Sequence, residues 1–160
     1  MNKQPQLQEF DRAYGDFVIL VRSLTPEQLL MPVGGWCPRD ILAHLVGWNH
    51  NILTGCKQVL GGVAPFYHID GPNDYRSFNA GFVVQHDSAD VQILLGQLAV
   101  GMDALRVFLE GVSETDWAKD FGAQHYRGGP ATVGRCIESL TTEYREHARE
   151  IAAGTRPNSP

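Results

Sequence analysis

Glu143 and His147 stand four residues apart near the end of the sequence, in the order Glu-x-x-x-His. On an α-helix this spacing places both side chains on one face, one turn apart, as two ligands of one metal ion require. The spacing also arises by chance, and Asp40 with His44 forms a second such pair. His147, however, occupies a core position of an apolar helical stripe, where an imidazole is costly unless it is paired or bound to a metal. The pair is therefore a candidate half of a metal site.

His44 borders the apolar stripe of an earlier predicted helix, so its side chain is expected to face the protein interior. If the two helices pack together, His44, Glu143 and His147 form a His2Glu set, which leaves a coordination position open for water or substrate. The alternative is purely structural. In that case His147 is a core histidine bonded to Tyr144 or to a carbonyl group, Glu143 pairs with an arginine, and no metal is held.

Four apolar stripes with the three- and four-residue spacing of amphipathic helices predict the elements that position these residues. The first stripe ends at Thr25-Pro26, the second runs from Cys37-Pro38 to Gly61-Gly62, the third from Asp87-Ser88 to Gly111, and the fourth from Thr132 to Gly154. No window shows the period-2 alternation of a strand. The sequence therefore predicts an all-α fold, a four-helix bundle with a long connection of about 26 residues between helices 2 and 3. Within that connection, residues 74–85 are predicted to form a short helix.

Composition bounds the class of protein. The 160 residues are 43% hydrophobic and 19% charged, which fits one globular domain over residues 1–154, with residues 155–160 as a flexible C-terminal tail. The net charge of −5 argues against a general nucleic-acid binder. The N-terminus lacks the apolar region of a secretory signal and no run approaches 20 apolar residues, so a cytoplasmic protein with no membrane partner is expected. The three widely spaced cysteines are expected to be reduced thiols.

Residues 36–48, W-C-P-R-D-I-L-A-H-L-V-G-W, resemble the second-helix signature of the DinB-like superfamily of four-helix metalloproteins, roughly W-S-x-x-D-x-L-x-H-L-x-x-W. The four-helix plan, the long middle connection, the Phe78-Asn79 pair and the late pair of ligand residues extend the resemblance over nearly the whole chain. The maleylpyruvate isomerase-like and colibactin self-protection branches are the most similar. The resemblance implies the DinB-like bundle fold.

The resemblance also implies a divalent metal ion, held by one histidine of the second helix and two residues of the last. His44, Glu143 and His147 match these positions. Zinc or nickel is typical of the superfamily, and the carboxylate at position 143, where many members have histidine, keeps iron and manganese open. Thiol-dependent members, such as mycothiol-dependent maleylpyruvate isomerases and bacillithiol transferases, imply a low-molecular-weight thiol as a further cofactor.

Two functions follow as expectations from this resemblance. The first is a metal-dependent thiol S-transferase, isomerase or hydrolase that acts on a small electrophilic molecule. The second is a stress or self-protection protein that binds a reactive small molecule without a catalytic metal. A small-molecule substrate and a homodimer are expected as partners, and nucleic acid is not.

Several neighbours of these positions are expected to support the site. Asp40 and Tyr144 are predicted to hydrogen-bond the metal ligands, although Asp40 is equally suited to capping its helix. Trp48, Phe78 and Asn79 are candidates for lining a pocket, although aromatic residues at helical spacing are more often simple core. Other residues with two interpretations, one functional and one as ordinary loop, cap or surface groups, are Cys37, His68, His86, His125, Arg39, Arg76, Arg127 and Arg135.

Overall fold

The computed structural model describes residues 2–68, 75–87, 89–125 and 127–156. This part of the chain folds into the helices α1 (Lys3–Ser23), α2 (Pro26–Leu29), α3 (Pro38–Leu60), α4 (Arg76–Gln85), α5 (Val91–Gly111), α6 (Glu114–Ala118) and α7 (Val133–Gly154), with a 3₁₀ turn at Phe66–His68. Across the described residues there is no β-strand, only an isolated bridge between Gln124 and Pro130. The all-α prediction is therefore confirmed.

The four long helices α1, α3, α5 and α7 form the bundle. Helix α1 packs along α7, and α3 packs against both α5 and α7. The shared core consists of the apolar faces of all four helices. Because α3 and α7 are neighbours, the second and fourth predicted helices meet as the metal hypothesis requires.

Local capping chemistry sets where α3 and α7 begin. Pro38 opens α3, and the Cys37 amide donates to the Asp40 carboxylate at 3.3 Å. The Thr132 hydroxyl caps α7 by accepting from the Arg135 amide at 3.2 Å. Both starts were predicted from the sequence.

The start of α5 differs from the prediction. Its N-cap is Asp90, whose carboxylate accepts from the Gln92 amide at 2.7 Å, rather than Asp87-Ser88. Asp87 lies in a turn that precedes the helix, and Ser88 lies outside the described residues. The same residue types serve both positions, so composition alone could not choose between them.

The long connection folds back onto α3. Helix α4 confirms the short helix expected over residues 74–85, with Asp74 outside the described residues. The Phe82 ring of α4 lies directly on Gly47 of α3, where an added Cβ would be 2.2 Å from Phe82 Cδ1. Arg39 donates to the Ala89 carbonyl at 3.1 Å and fastens the end of the connection to the start of α3. The connection therefore covers one side of the bundle.

The start of the predicted tail is held in place. Thr155 is buried, its hydroxyl donates to the Ile151 carbonyl at 2.7 Å, and its carbonyl accepts from the Gln28 amide group at 3.1 Å. Residues 157–160 lie outside the described residues.

Helix α5 is long and apolar enough to cross a membrane by length and composition. It also buries Leu94, Leu98, Met102, Leu105 and Leu109 in the bundle core. Since core helices of soluble proteins pass the same test, this property is weak support for a membrane span.

Candidate metal centre

Three side chains from α3 and α7 converge on one point. Glu143 Oε2 lies 3.4 Å from His44 Nε2 and 3.5 Å from His147 Nε2, and one ligand atom from each residue lies within 4.8 Å of the others. These separations are at the long end of the range for hydrogen bonds, which are best at about 2.7–3.2 Å. They match the spacing of about 3.4 Å between ligand atoms that surround one zinc-sized ion at bond lengths near 2.0–2.1 Å. The three residues therefore form a possible metal site.

The electrostatics of this cluster favour an ionised carboxylate. Burial raises the pKa of Glu143, but hydrogen bonds from His147 and His44 outweigh it and lower the pKa to about 2. Burial lowers the pKa of His44, against the opposing effect of Glu143. Burial also lowers the pKa of His147, but hydrogen bonds to Glu143 and Glu150 raise it by more, so the net pKa is raised. Glu143 is thus an anionic group between one neutral and one readily protonated imidazole.

Glu150 orients the outer histidine, a role that the sequence analysis missed. Its Oε2 lies 3.0 Å from His147 Nδ1, which leaves His147 Nε2 directed at Glu143. Carboxylates bonded to the second ring nitrogen of metal-binding histidines are common, since they fix the ring and raise its basicity. Gly34, with a φ of +144°, makes room for this carboxylate, because a Cβ there would be 2.4 Å from Glu150 Oε1. The three-residue spacing from His147 was the available sequence signal.

Asp40 and Tyr144 have other partners. Asp40 Oδ2 accepts from the amide and the thiol of Cys37, which is the capping role left open above. The Tyr144 hydroxyl donates to Asn49 Oδ1 at 2.9 Å in the core. Neither residue supports the cluster by a hydrogen bond in the part of the chain that is described.

A cavity of about 390 Å³ opens beside the cluster, lined by His44 and Glu143 among others. Trp48 and Asn79 also line it, and the Trp48 indole N–H donates to Asn79 Oδ1 at 2.8 Å. Asn79 also acts to raise the pKa of His44. Phe78 lies behind the wall against Trp48, at a ring-centroid distance of 6.3 Å. The structure therefore brings Trp48 and Asn79 to the cavity, with Phe78 behind them.

Loop residues complete the cavity wall. His68 and His125 line it with their ring centroids 5.2 Å apart, whereas His86 bonds to the Phe82 carbonyl instead. Further lining residues that the sequence analysis did not single out are Ile52, Tyr67, Cys136, Ser139 and Leu140. Nothing in their spacing marks a cavity, because they come from three separate segments.

Solved structures with the same fold are similar along nearly the whole chain. The colibactin self-resistance protein ClbS, crystallised in complex with a dsDNA, has a TM-score of 0.79 at 16% identity, with 99% of this chain and 98% of that chain covered. DfsB, described as a sibling lethal factor precursor, has a TM-score of 0.72 at 18% identity, with 96% and 94% covered. A Streptococcus pneumoniae protein has a TM-score of 0.78 at 13% identity, with 96% and 90% covered. Among curated proteins, no sequence matches this chain.

The prediction that nucleic acid is not a partner was wrong, because the structurally similar protein ClbS was crystallised in complex with a dsDNA. That prediction used the net charge of −5, which is a sum over the whole surface. A net charge does not fix the local potential at any one face, so an acidic balance does not exclude a nucleic-acid partner.

The family itself is shown by the sequence. The DinB superfamily model matches residues 9–151, which include α3 and α5 in full and most of α1 and α7. The matched range contains His44 on α3 and Glu143 and His147 on α7, the residues predicted as ligands. This chain belongs to the DinB superfamily.

Proposed function

We propose that the protein binds a divalent metal ion through His44, Glu143 and His147 and uses it to transform a small electrophilic molecule in the adjacent cavity. The observation that carries this proposal is the convergence of three ligand atoms on the edge of a cavity large enough for a small substrate. The reaction class is thiol S-transfer, thiol-assisted isomerisation or hydrolysis.

The ligand set supports a catalytic rather than a purely structural ion. Three protein ligands leave a position for water, a thiol or substrate, whereas structural zinc sites are normally closed by four. A bound divalent ion would lower the pKa of a water or thiol at that position and so supply a nucleophile at neutral pH. Two imidazoles with one carboxylate suit zinc or nickel and accommodate iron or manganese.

The remaining residues of the site have positioning and desolvating roles. Glu150 holds the His147 ring in place. Trp36 and Trp48 flank the His44 ring at centroid distances of 5.1 and 6.3 Å and shield it from water. The aromatic wall offers apolar contact to the body of a substrate, while Ser139 and Asn79 supply polar groups that fix its orientation.

A metal titration tests the binding step. At a free metal concentration of about 100 times Kd, a site present only in the folded state adds about 2.7 kcal/mol of stability. For a chain of this size that corresponds to a rise in Tm of about 5–10 °C. We expect this rise with zinc or nickel in the wild type and its loss in His44→Ala and His147→Ala. His50→Ala is the matched control, since His50 lies on the exposed side of α3.

A second candidate function is metal-independent binding of a reactive small molecule. It is favoured by the fold shared with ClbS, a colibactin self-resistance protein, and by the aromatic lining of the cavity. Reaction of chlorodinitrobenzene with a small thiol separates the two candidates. His147→Ala abolishes turnover in the first case and leaves ligand binding largely intact in the second. A labelled DNA duplex belongs in the same binding panel because of the ClbS complex.

A further inference from the structure

A second chemical group faces the same cavity, two helical turns away from the metal cluster. Cys136 of α7 lines the cavity together with Glu143, seven residues further along the same helix. Two turns of helix correspond to about 10 Å along the axis. The wall of the cavity therefore carries a thiol at one end and the metal ligands at the other.

Cys136 is one member of a buried polar cluster that joins three segments. The Cys56 thiol of α3 and the Tyr67 hydroxyl both lie close enough to Cys136 to act on the pKa of its thiol. Tyr67 also lines the cavity, its side chain is more than nine-tenths buried, and its hydroxyl has no hydrogen-bond partner in the described part of the chain. A buried hydroxyl without such a partner is costly unless it donates to another acceptor. The carbonyl oxygen of a ligand in the cavity is an acceptor of that kind.

The surroundings of Cys136 favour its thiolate form. The hydrogen bond from Cys56 lowers the pKa of Cys136 against the opposing effect of burial, and Tyr67 and the neighbouring Arg135 act in the same direction. The Cys56 thiol stays protonated, since its own pKa is raised. Cys37 is the more exposed thiol, but burial raises its pKa, and it donates to the Asp40 carboxylate at 3.2 Å. The less accessible of the two thiols is thus the better nucleophile.

We propose that Cys136 is a covalent capture site for small, uncharged carbon electrophiles of the α,β-unsaturated carbonyl class that enter this cavity. This inference goes beyond the proposed metal chemistry and does not depend on an ion. The Cys136 sulphur forms a bond to the β-carbon while the carbon–carbon π bond breaks. The electron pair passes to the α-carbon, which takes up one proton in place of the one lost from sulphur. No oxidant or reductant is needed.

The cavity fits this class of molecule. Trp48, Tyr75 and Ile52 offer an apolar wall for an uncharged ligand. Cys56 and Tyr67 remain as donors beside the sulphur after reaction. The charged and titratable groups that act on Cys136 are Cys56 from α3, Tyr67 from the 3₁₀ turn and Arg135 from α7 itself.

Timed labelling of freshly reduced full-length protein with N-ethylmaleimide, followed by peptide mass spectrometry, tests the proposal. We expect the first adduct on Cys136, severalfold faster than on Cys37 at pH 7, because the lowered pKa of Cys136 and the raised pKa of Cys37 give Cys136 the larger thiolate fraction. In urea the preference disappears. Labelling of Cys37 first, with Cys136 unreactive until the protein unfolds, overturns the proposal.

Variants separate accessibility from activation. Tyr67→Phe removes only the hydroxyl, so the Cys136 labelling rate at pH 7 falls and the midpoint of its pH–rate profile moves upward. Cys37→Ser is the matched control and leaves Cys136 labelling unchanged. An unchanged midpoint in Tyr67→Phe contradicts the assigned effect of the Tyr67 hydroxyl on the Cys136 thiol. Labelling in the metal-free His147→Ala variant is expected at the wild-type rate, so failure of the metal site does not obscure the result.

Discussion

Helix α4 can cover the cavity only because Gly47 of α3 has no side chain to exclude the Phe82 ring. An alanine Cβ at this position would lie 2.2, 2.3 and 2.5 Å from three carbon atoms of the Phe82 ring. Ordinary contact begins at 3.4 Å, so the ring must retreat by about 1.2 Å. Because α4 carries Asn79 as well as Phe82, the displacement also strains the hydrogen bond from Trp48 to Asn79.

Two opposing effects set the magnitude for Gly47→Ala. Alanine within a helix gains about 1 kcal/mol over glycine, whereas overpacking costs about 1–3 kcal/mol. We therefore expect a net loss of about 0–2 kcal/mol. Gly96→Ala in α5 is the matched control, since an added Cβ there meets nothing within 4 Å. It should stabilise the protein by about 1 kcal/mol.

Urea unfolding of Gly47→Ala, Phe82→Ala, their double variant and the control Gly96→Ala tests this reasoning. Removing the Phe82 ring removes the clash, so the double-mutant cycle should show a favourable coupling of at least about 1 kcal/mol. The reasoning is refuted if Gly47→Ala stabilises the protein as much as Gly96→Ala does and the coupling is near zero.

Three further predictions concern the buried polar groups. Tyr144→Phe leaves Asn49 Oδ1 without its 2.9 Å donor and should cost about 1–3 kcal/mol, measured by urea unfolding; no loss would contradict the assigned bond. Burial, with Arg135 and His68, lowers the pKa of His125 in the folded protein to about 4. Between about pH 6.5 and pH 4 the unfolded chain therefore binds a proton that the folded chain does not, and the stability of the fold decreases as the pH falls through this range. That loss is about 2 kcal/mol at pH 5 and should be absent from His125→Gln in unfolding curves at pH 7.5 and 5. Glu150→Gln should weaken metal binding about 10- to 100-fold in calorimetric titrations, and an unchanged Kd would exclude its orienting role.

The helices and the cluster of His44, Glu143 and His147 could be predicted from the sequence for local reasons. Pro38 and Thr132 specify helix starts through their own backbone and side-chain chemistry, and the apolar stripes specify the buried faces. Once α3 and α7 are neighbours, His44 meets Glu143 because each borders the buried face of its helix. The family signature supplied the pairing of these two helices.

The cavity wall was not accessible in the same way. Tyr67 and His125 reach the cavity from segments without apolar periodicity, so their positions depend on tertiary packing. The short helices α2 and α6 span four and five residues, too few for a periodic stripe, and they depend on the caps Thr25 and Ser113. The sequence allowed Asp40 to bond either the His44 ring or the backbone at the start of α3, and only the folded chain shows that it bonds the Cys37 amide.

The most direct test of the proposed metal centre is elemental mass spectrometry of tag-free protein that has been dialysed with zinc or nickel and then freed of unbound ion. The wild type and His50→Ala should retain about one equivalent, and His44→Ala and His147→Ala should retain almost none. A wild-type protein that retains no zinc, nickel, iron or manganese, or variants that retain as much as the wild type, would contradict the assignment of His44, Glu143 and His147 as the ligands.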